Sequence, residues 1–293
     1  MITLARYALT LCVTLAVLEG CGGSQGALSP SAAPLALVQR LERGTGEVQY
    51  FSNYSTLLEY DYPKSESPIG SISYSGGGEC TKGAGTFWTA GSELAEFKVG
   101  GTSPIRLLKA SASQCAVDPA TGDLAASSLS GGIIIFHNAH GKGKVFTPLA
   151  TAYFDGYDDK SNLFVDGFSG SHVFGLVELK KGSSTFETIT TSNTVKFPGS
   201  VQWDGTYLTV LDQDTEAIYQ YTVSGTKATL KGTASLSGSG DCGQTWIAAP
   251  YVYCADAGNA DGEVYEYPAG GSPVATLSGN LNTPIGVVSL RAH

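Results

Sequence analysis

A strand-and-turn segment with an aromatic or apolar edge returns six times along the chain: Leu58-Glu59-Tyr60-Asp61-Tyr62-Pro63, Leu94-Ala95-Glu96-Phe97, Ile133-Ile134-Ile135-Phe136, Leu176-Val177-Glu178-Leu179, Ile218-Tyr219-Gln220-Tyr221 and Val264-Tyr265-Glu266-Tyr267-Pro268. With Tyr60, Phe97, Phe136, Leu179, Tyr221 and Tyr267 taken as one position, successive copies stand 37, 39, 43, 42 and 46 residues apart. A period of about 41 residues is the length of one four-stranded propeller blade. Helical pairs repeat at a similar length, but the stretches between copies are dense in Gly, Ser, Thr and aromatic residues and lack apolar spacing of 3.6. The repeat is therefore read as strands.

Each module divides into a turn-joined inner pair of strands and an outer pair that begins at the aromatic edge. The inner pair is plainest at Gln114-Cys115-Ala116-Val117-Asp118-Pro119-Ala120-Thr121-Gly122-Asp123-Leu124-Ala125, where Asp118 to Asp123 makes a tight turn. Val201 to Leu208 repeats it with an Asp204-Gly205 hairpin turn, and Tyr157 to Phe164 is a third copy. The outer pair is plainest at Tyr265 to Leu277 and matches Glu96 to Leu107. In both, two glycines permit positive φ in the turn and a proline suits an edge strand.

The halves do not close within the linear order. Pro284-Ile285-Gly286-Val287-Val288-Ser289-Leu290 is an inner strand with no partner after it, and Glu47-Val48-Gln49-Tyr50-Phe51-Ser52-Asn53 lacks an inner strand before it. Joining the two completes a blade from both termini and removes an exposed edge. The expected fold is all-β: a six-bladed β-propeller of four-stranded antiparallel blades, with the ring closed by the N- and C-terminal strands in one blade.

The chain has 293 residues, 42% hydrophobic with mean hydropathy +0.03, which is ample for a core, and its 38 Gly and 15 Tyr fit many short strands and turns. Composition does not break between about residues 47 and 290, so one domain, 47–293, is expected. Ahead of it, Arg6 and the apolar stretch Tyr7 to Leu18 read as a signal peptide over residues 1–20, too short to span a bilayer. Leu18-Glu19-Gly20-Cys21 resembles a bacterial lipobox, with Cys21 as the lipidated first residue of the mature chain, although Glu19 departs from the usual small or apolar residue. Plain secretion is the alternative. Residues 21–46, small, polar and Pro-containing, read as a flexible tether.

The net charge of −9 survives removal of residues 1–20, because Arg6 and Glu19 cancel. An acidic surface with no basic cluster disfavours nucleic acid as a partner, and with no further long apolar run the membrane is reached only through the lipid. The chain is expected to be an exported monomer of the cell envelope.

Four cysteines remain in the domain, and an exported domain favours disulfides. Cys242 and Cys254 flank one inner hairpin, while Cys80 and Cys115 hold the same repeat position on consecutive blades; these are the expected pairs. No Cys-x-x-Cys spacing points to zinc or thiol redox chemistry.

The turn Val117-Asp118-Pro119-Ala120-Thr121-Gly122-Asp123-Leu124 and the strand pair Tyr265-Glu266-Tyr267-Pro268-Ala269-Gly270-Gly271 resemble secreted bacterial propeller proteins of the NHL and YVTN repeat type over about residues 47–290. The resemblance implies the fold; this superfold hosts many unrelated activities. Inner strands converge on a central channel, so polar residues that begin them, Glu79, Gln114, Asp155 and Asp241, are the candidate ligand-binding residues at its mouth. In the gluconolactonase family, also six-bladed propellers, one metal near this axis activates water for lactone hydrolysis; the likeness here is one of architecture only.

Other candidates are weaker. Gly22-Gly23-Ser24-Gln25-Gly26 has nucleophile-elbow spacing but sits in the tether. His137 and His140 share a loop. The acidic clusters Asp155, Asp158 and Asp159; Asp212, Asp214 and Glu216; and Asp256, Asn259, Asp261 and Glu263 suit calcium chemically but lack EF-hand spacing, and turn formation accounts for them equally well. Trp88, Trp203 and Trp246 either wedge between blades or make a stacking rim for sugars or peptides. The function expected is therefore a noncatalytic binding or protein-interaction module with a protein or carbohydrate ligand and no cofactor. A metal-dependent hydrolase or lactonase built on the central acids is the alternative, with catalysis itself left open.

Overall fold

The computed structural model describes residues 47–291 apart from 84 and 131; the signal segment, Cys21 and the tether lie outside the described residues. β1 (Glu47–Asn53), β2 (Thr56–Tyr60) and β3 (Gly70–Ser73) form one antiparallel sheet with the last strand, β24 (Gly286–Arg291). The second sheet is β4 (Glu79–Gly83), β5 (Thr86–Thr89), β6 (Leu94–Lys98) and β7 (Arg106–Leu108). The third is β8 (Gln114–Val117), β9 (Leu124–Ser128), β10 (Gly132–Phe136) and β11 (Lys144–Phe146).

Two further runs of four follow: β12 (Thr151–Tyr157), β13 (Leu163–Gly170), β14 (Val173–Leu179) and β15 (Glu187–Thr191), then β16 (Pro198–Trp203), β17 (Leu208–Asp212), β18 (Ala217–Ser224) and β19 (Lys227–Ser235). These two runs are one sheet of eight strands. β20 (Cys242–Ala248), β21 (Tyr251–Asp256), β22 (Asp261–Glu266) and β23 (Ala275–Leu277) make the last four-stranded sheet.

The architecture is an all-β propeller of antiparallel four-stranded blades. Its departure from the expected separate blades is the eight-stranded sheet. The long outer strand β19 reaches past its own blade and pairs parallel with β15 at Thr190 with Lys227 and Thr191 with Ala228, and the Thr190 and Ser192 N–H groups donate to Thr226 and Ala228 carbonyls at 2.9 Å. An outer edge that would face water is thereby paired.

Every copy of the aromatic edge falls in the third strand of a run of four: β2, β6, β10, β14, β18 and β22. That strand is paired along both edges and packs its faces against neighbouring sheets; Tyr60, Phe97, Tyr221 and Tyr265 are all fully buried. The outer-pair turns use glycine where φ is positive, as at Gly100 (73°) and Gly270 (66°). A Cβ at Gly270 would fall 2.5 Å from the Ser235 carbonyl oxygen.

β24 zips onto β1 from Glu47 with Arg291 to Ser52 with Gly286. The first strands of the runs, β4, β8, β12, β16, β20 and β24, are neighbours in a closed cycle, so the two ends of the described chain meet in one sheet. Apolar clusters fill the spaces between sheets. One of them stacks Tyr50 on Phe87 (4.2 Å between ring centres) and Phe87 on Phe97 (5.6 Å).

Candidate functional site

The inner strands are held to one another by a stitch at each junction. Between β4 and β8 it is the Cys80–Cys115 disulfide, with Cα atoms 5.6 Å apart, and the Gly78 N–H on the Ser113 carbonyl (2.8 Å). The expected second pair also forms, Cys242–Cys254 across β20 and β21 with Cα atoms 5.7 Å apart. Ser127 Oγ, on β9, donates to Tyr153 O on β12 (2.7 Å), and the Asp166 carboxylate, on β13, accepts the Phe154 and Gly199 N–H groups (3.0 and 2.9 Å), reaching β16.

Between β16 and β20, Ser200 Oγ accepts the Thr245 N–H (2.7 Å), and the Gln202 amide takes both the N–H and the carbonyl of Ile247 (2.8 and 3.0 Å). The Gln244 amide spans to two strands at once. Its Oε1 accepts the Glu79 and Val287 N–H groups (both 2.9 Å) while Nε2 donates to the Glu79 carbonyl (2.8 Å). β12 and β16 approach too closely for a side chain at Gly156, whose Cβ would fall 2.3 Å from the Val201 carbonyl oxygen.

Inside this ring lies a cavity of about 220 Å³. Its floor and walls come from Gln114, Asp155, Ser200, Gln202 and Gln244, and its aromatic surface from Tyr157, Trp203 and Trp246. Pro119, Asp158 and Asp159, from the turns that join inner strands to second strands, also line it, so it opens at the finishing end of the inner strands. Among the described residues no lysine or arginine lines it.

Of the polar lining groups, Ser200, Gln202 and Gln244 are occupied by the stitches, and Asp158 Oδ1 accepts the Lys160 and Asn162 N–H groups of its own turn. Asp155 is different. It is 5% exposed, and no hydrogen bond of good geometry reaches either carboxylate oxygen. The adjacent Ser127 hydroxyl is directed to Tyr153 O. Burial pushes the Asp155 carboxyl up to about 7, against smaller lowering by Ser127 and a backbone N–H. Gln114, 9% exposed, likewise has no donor on Oε1, and its amide lies over Gly78, where a Cβ would be 1.6 Å from that oxygen.

Of the four residues expected at the channel mouth, then, the cavity brings together Gln114 and Asp155. Glu79 is fully buried beside it, with both oxygens lacking donors, and desolvation holds its carboxyl well above the ordinary range. Asp241 is exposed in the loop ahead of β20 and does not line the cavity; Gln244 takes that place.

Trp203 and Trp246 have a double role, one part packed on the core and another lining the cavity, whereas Trp88 is 3% exposed and wholly a core residue. Their equivalent placement near the ends of consecutive inner strands was the available signal for the cavity.

The other candidate clusters serve the backbone. Asp212 accepts the Lys196, Phe197 and Asp214 N–H groups. Asp256 accepts four backbone N–H groups, from Gly240, Asp241, Gly258 and Asn259, as well as the Asn259 amide. Ligand atoms of Cys254, Asp256 and Glu263 lie within 4.8 Å of one another, but that sulfur is bonded to Cys242 and the Asp256 oxygens are saturated with donors, so the trio does not suit a metal. His137 Nδ1 meets Asp123 (2.9 Å) and His140 turns toward Arg106 and Asn138, so the two rings do not share a ligand point.

No family model matches the chain, and no curated protein matches it. Solved structures do. A chain in the crystal structure of a nidogen/laminin complex superposes with TM-score 0.68 at 11% identity, covering 83% of this chain and 98% of that one. The β-propeller domain of Cps50 (Swd1) from Myceliophteria thermophila superposes with TM-score 0.55 at 12% identity, covering 79% and 83%. The fold is a β-propeller. At these identities the likeness carries the architecture and nothing of the ligand.

Proposed function

We propose that the chain is an exported, noncatalytic binding module, a six-bladed β-propeller of NHL/YVTN type from a bacterial envelope, whose ligand enters the central cavity. Counting the eight-stranded sheet as two blades joined at their rims gives six, in keeping with the six aromatic edges and the cycle of six inner strands. Residues 1–20 act as the signal, Cys21 carries the lipid and 21–46 tether a monomeric domain; two disulfides suit an oxidising compartment. Among the described residues no helix is long and apolar enough to cross a membrane.

The observation that carries this reading is the central cavity itself: two tryptophans beside a buried carboxylate and an amide oxygen that the fold leaves without partners. A concave, largely apolar site with a few unsatisfied polar groups is the usual form of a ligand pocket. The hydrolase reading finds no support in the acids. Glu79 is buried outside the lining and Asp241 is on the surface, and among the described residues the three aspartates that do line the cavity, Asp155, Asp158 and Asp159, do not bring ligand atoms within 4.8 Å of one another.

The test is a panel of peptides and glycans offered to the wild-type chain and to a Trp203→Ala/Trp246→Ala double variant. Binding by the first and its loss in the second, with the fold retained by circular dichroism, supports the reading; equal binding by both refutes the cavity as the site.

A further inference from the structure

The buried side-chain atoms of the lining that lack a partner are all acceptors. Asp155 offers two carboxylate oxygens and Gln114 one amide oxygen, each buried and without a donor, in a cavity that no lysine or arginine lines among the described residues. Burying acceptors this way costs free energy unless something supplies N–H or O–H groups. An anion is repelled by Asp155. A neutral polyol can pair with the polar lining but leaves the Asp155 charge uncompensated. Calcium takes six to eight oxygens, roughly twice what Asp155 and Gln114 present.

An ammonium group has three N–H donors, no acceptor and one positive charge. We propose that the central cavity takes a primary ammonium carried on a short aliphatic stem, with Asp155 as its counter-charge, Gln114 Oε1 as a further acceptor, and Trp203 and Trp246 as the walls against which the stem lies. Tryptophan is the preferred aromatic neighbour for such cations. The same chemistry is presented by a free alkylamine and by a lysine side chain of a protein. The inference rests on the binding-module reading and gives it a ligand class.

The test is calorimetric titration of the full chain with butylammonium chloride, 1-butanol, calcium chloride and N-acetylglucosamine. Butylammonium binds with a Kd of about 1 mM, a modest value suited to one charge and a four-carbon stem. Asp155→Asn weakens it by about tenfold or more, as loss of a charge-assisted hydrogen bond should. Gly78→Ala, which displaces the flexible Gln114 amide, weakens it by a smaller factor. Affinity in the wild type rises from pH 6 to pH 8 and is flat in Asp155→Asn.

Equal butylammonium binding by wild type and Asp155→Asn overturns the proposal, as does Asp155-dependent uptake of calcium without uptake of the amine. Binding of N-acetylglucosamine that needs Trp203 but not Asp155 overturns the ammonium class and leaves the binding module standing. If a lysine-bearing peptide from the panel binds in an Asp155-dependent way, the source is a protein; if only the free amine does, it is a small molecule. Silence from every probe and every member of the panel overturns both readings.

Discussion

Replacing Asp155 by asparagine is expected to stabilise the chain, and to do so only at neutral and alkaline pH. The folded-state carboxyl titrates near 7 against an ordinary value of 3.8, because burial disfavours the charge. A group with a raised folded pKa gives its full contribution below the unfolded value and loses it as pH climbs to the folded one. The loss therefore runs from about pH 4 to about pH 7, and at roughly 1.4 kcal/mol per unit it reaches about 4 kcal/mol. Asparagine keeps the shape, carries no charge and escapes that penalty, though its own amide still needs partners, so a net gain of about 2–4 kcal/mol is expected.

For a domain of this size each kcal/mol moves Tm by about 2–4 °C, giving a rise of roughly 4–16 °C at pH 8 that shrinks to near zero at pH 4. Asp166 and Tyr157, the titratable groups coupled to Asp155, are present in both proteins; removing the Asp155 charge also relieves Asp166, in the same direction. Thermal unfolding of both chains across pH 4 to 8 reads the effect. A ΔTm independent of pH, or a variant less stable at pH 8, would falsify the assignment of Asp155 as a buried, uncompensated acid. A stabilising substitution that abolishes ligand uptake marks a residue retained for binding.

Removing Cys80–Cys115 by paired serine substitution is expected to cost about 3–4 kcal/mol and removing Cys242–Cys254 about 1 kcal/mol less, since their sequence separations are 35 and 12 residues; denaturant unfolding under non-reducing conditions checks the order. Gly156→Ala should destabilise by about 2–4 kcal/mol, because its Cβ meets the Val201 backbone and not a movable side chain. Deleting residues through Asn53 strips β1 from β24 and β2, so the chain should lose its cooperative melting transition instead of shifting it. Cys21→Ser should abolish incorporation of labelled fatty acid and release the chain from the membrane fraction; unchanged labelling removes the lipobox reading.

Much of the fold was legible because it rests on periodicity. The aromatic edge marks the third strand of every run, and the unpaired segments at Glu47 and Pro284 announce their own pairing, since a strand edge without a partner is costly. Both disulfides were legible, Cys80–Cys115 from a shared repeat position and Cys242–Cys254 from the inner hairpin that the two cysteines flank. The cavity was only half legible. Strand alternation assigns faces correctly until a bulge shifts the register, and β4, β12, β16 and β20 each contain one near the hub. Asp241 was expected as the first polar residue of its inner strand, but β20 begins one residue later and Gln244, two residues into the strand, is the one that lines the cavity. Nor does composition distinguish a polar side chain occupied by a neighbouring strand, such as Gln202, from one left without a partner, such as Asp155; that depends on which backbone groups the ring brings within reach.

The three indole N–H groups provide the most direct measurement. In a chain labelled with ¹⁵N-tryptophan, titration with butylammonium should move the signals of Trp203 and Trp246, which line the cavity, and leave Trp88, sealed in the core, unmoved. Three unmoved signals at saturating ligand, or movement of Trp88 alone, would contradict a central binding cavity.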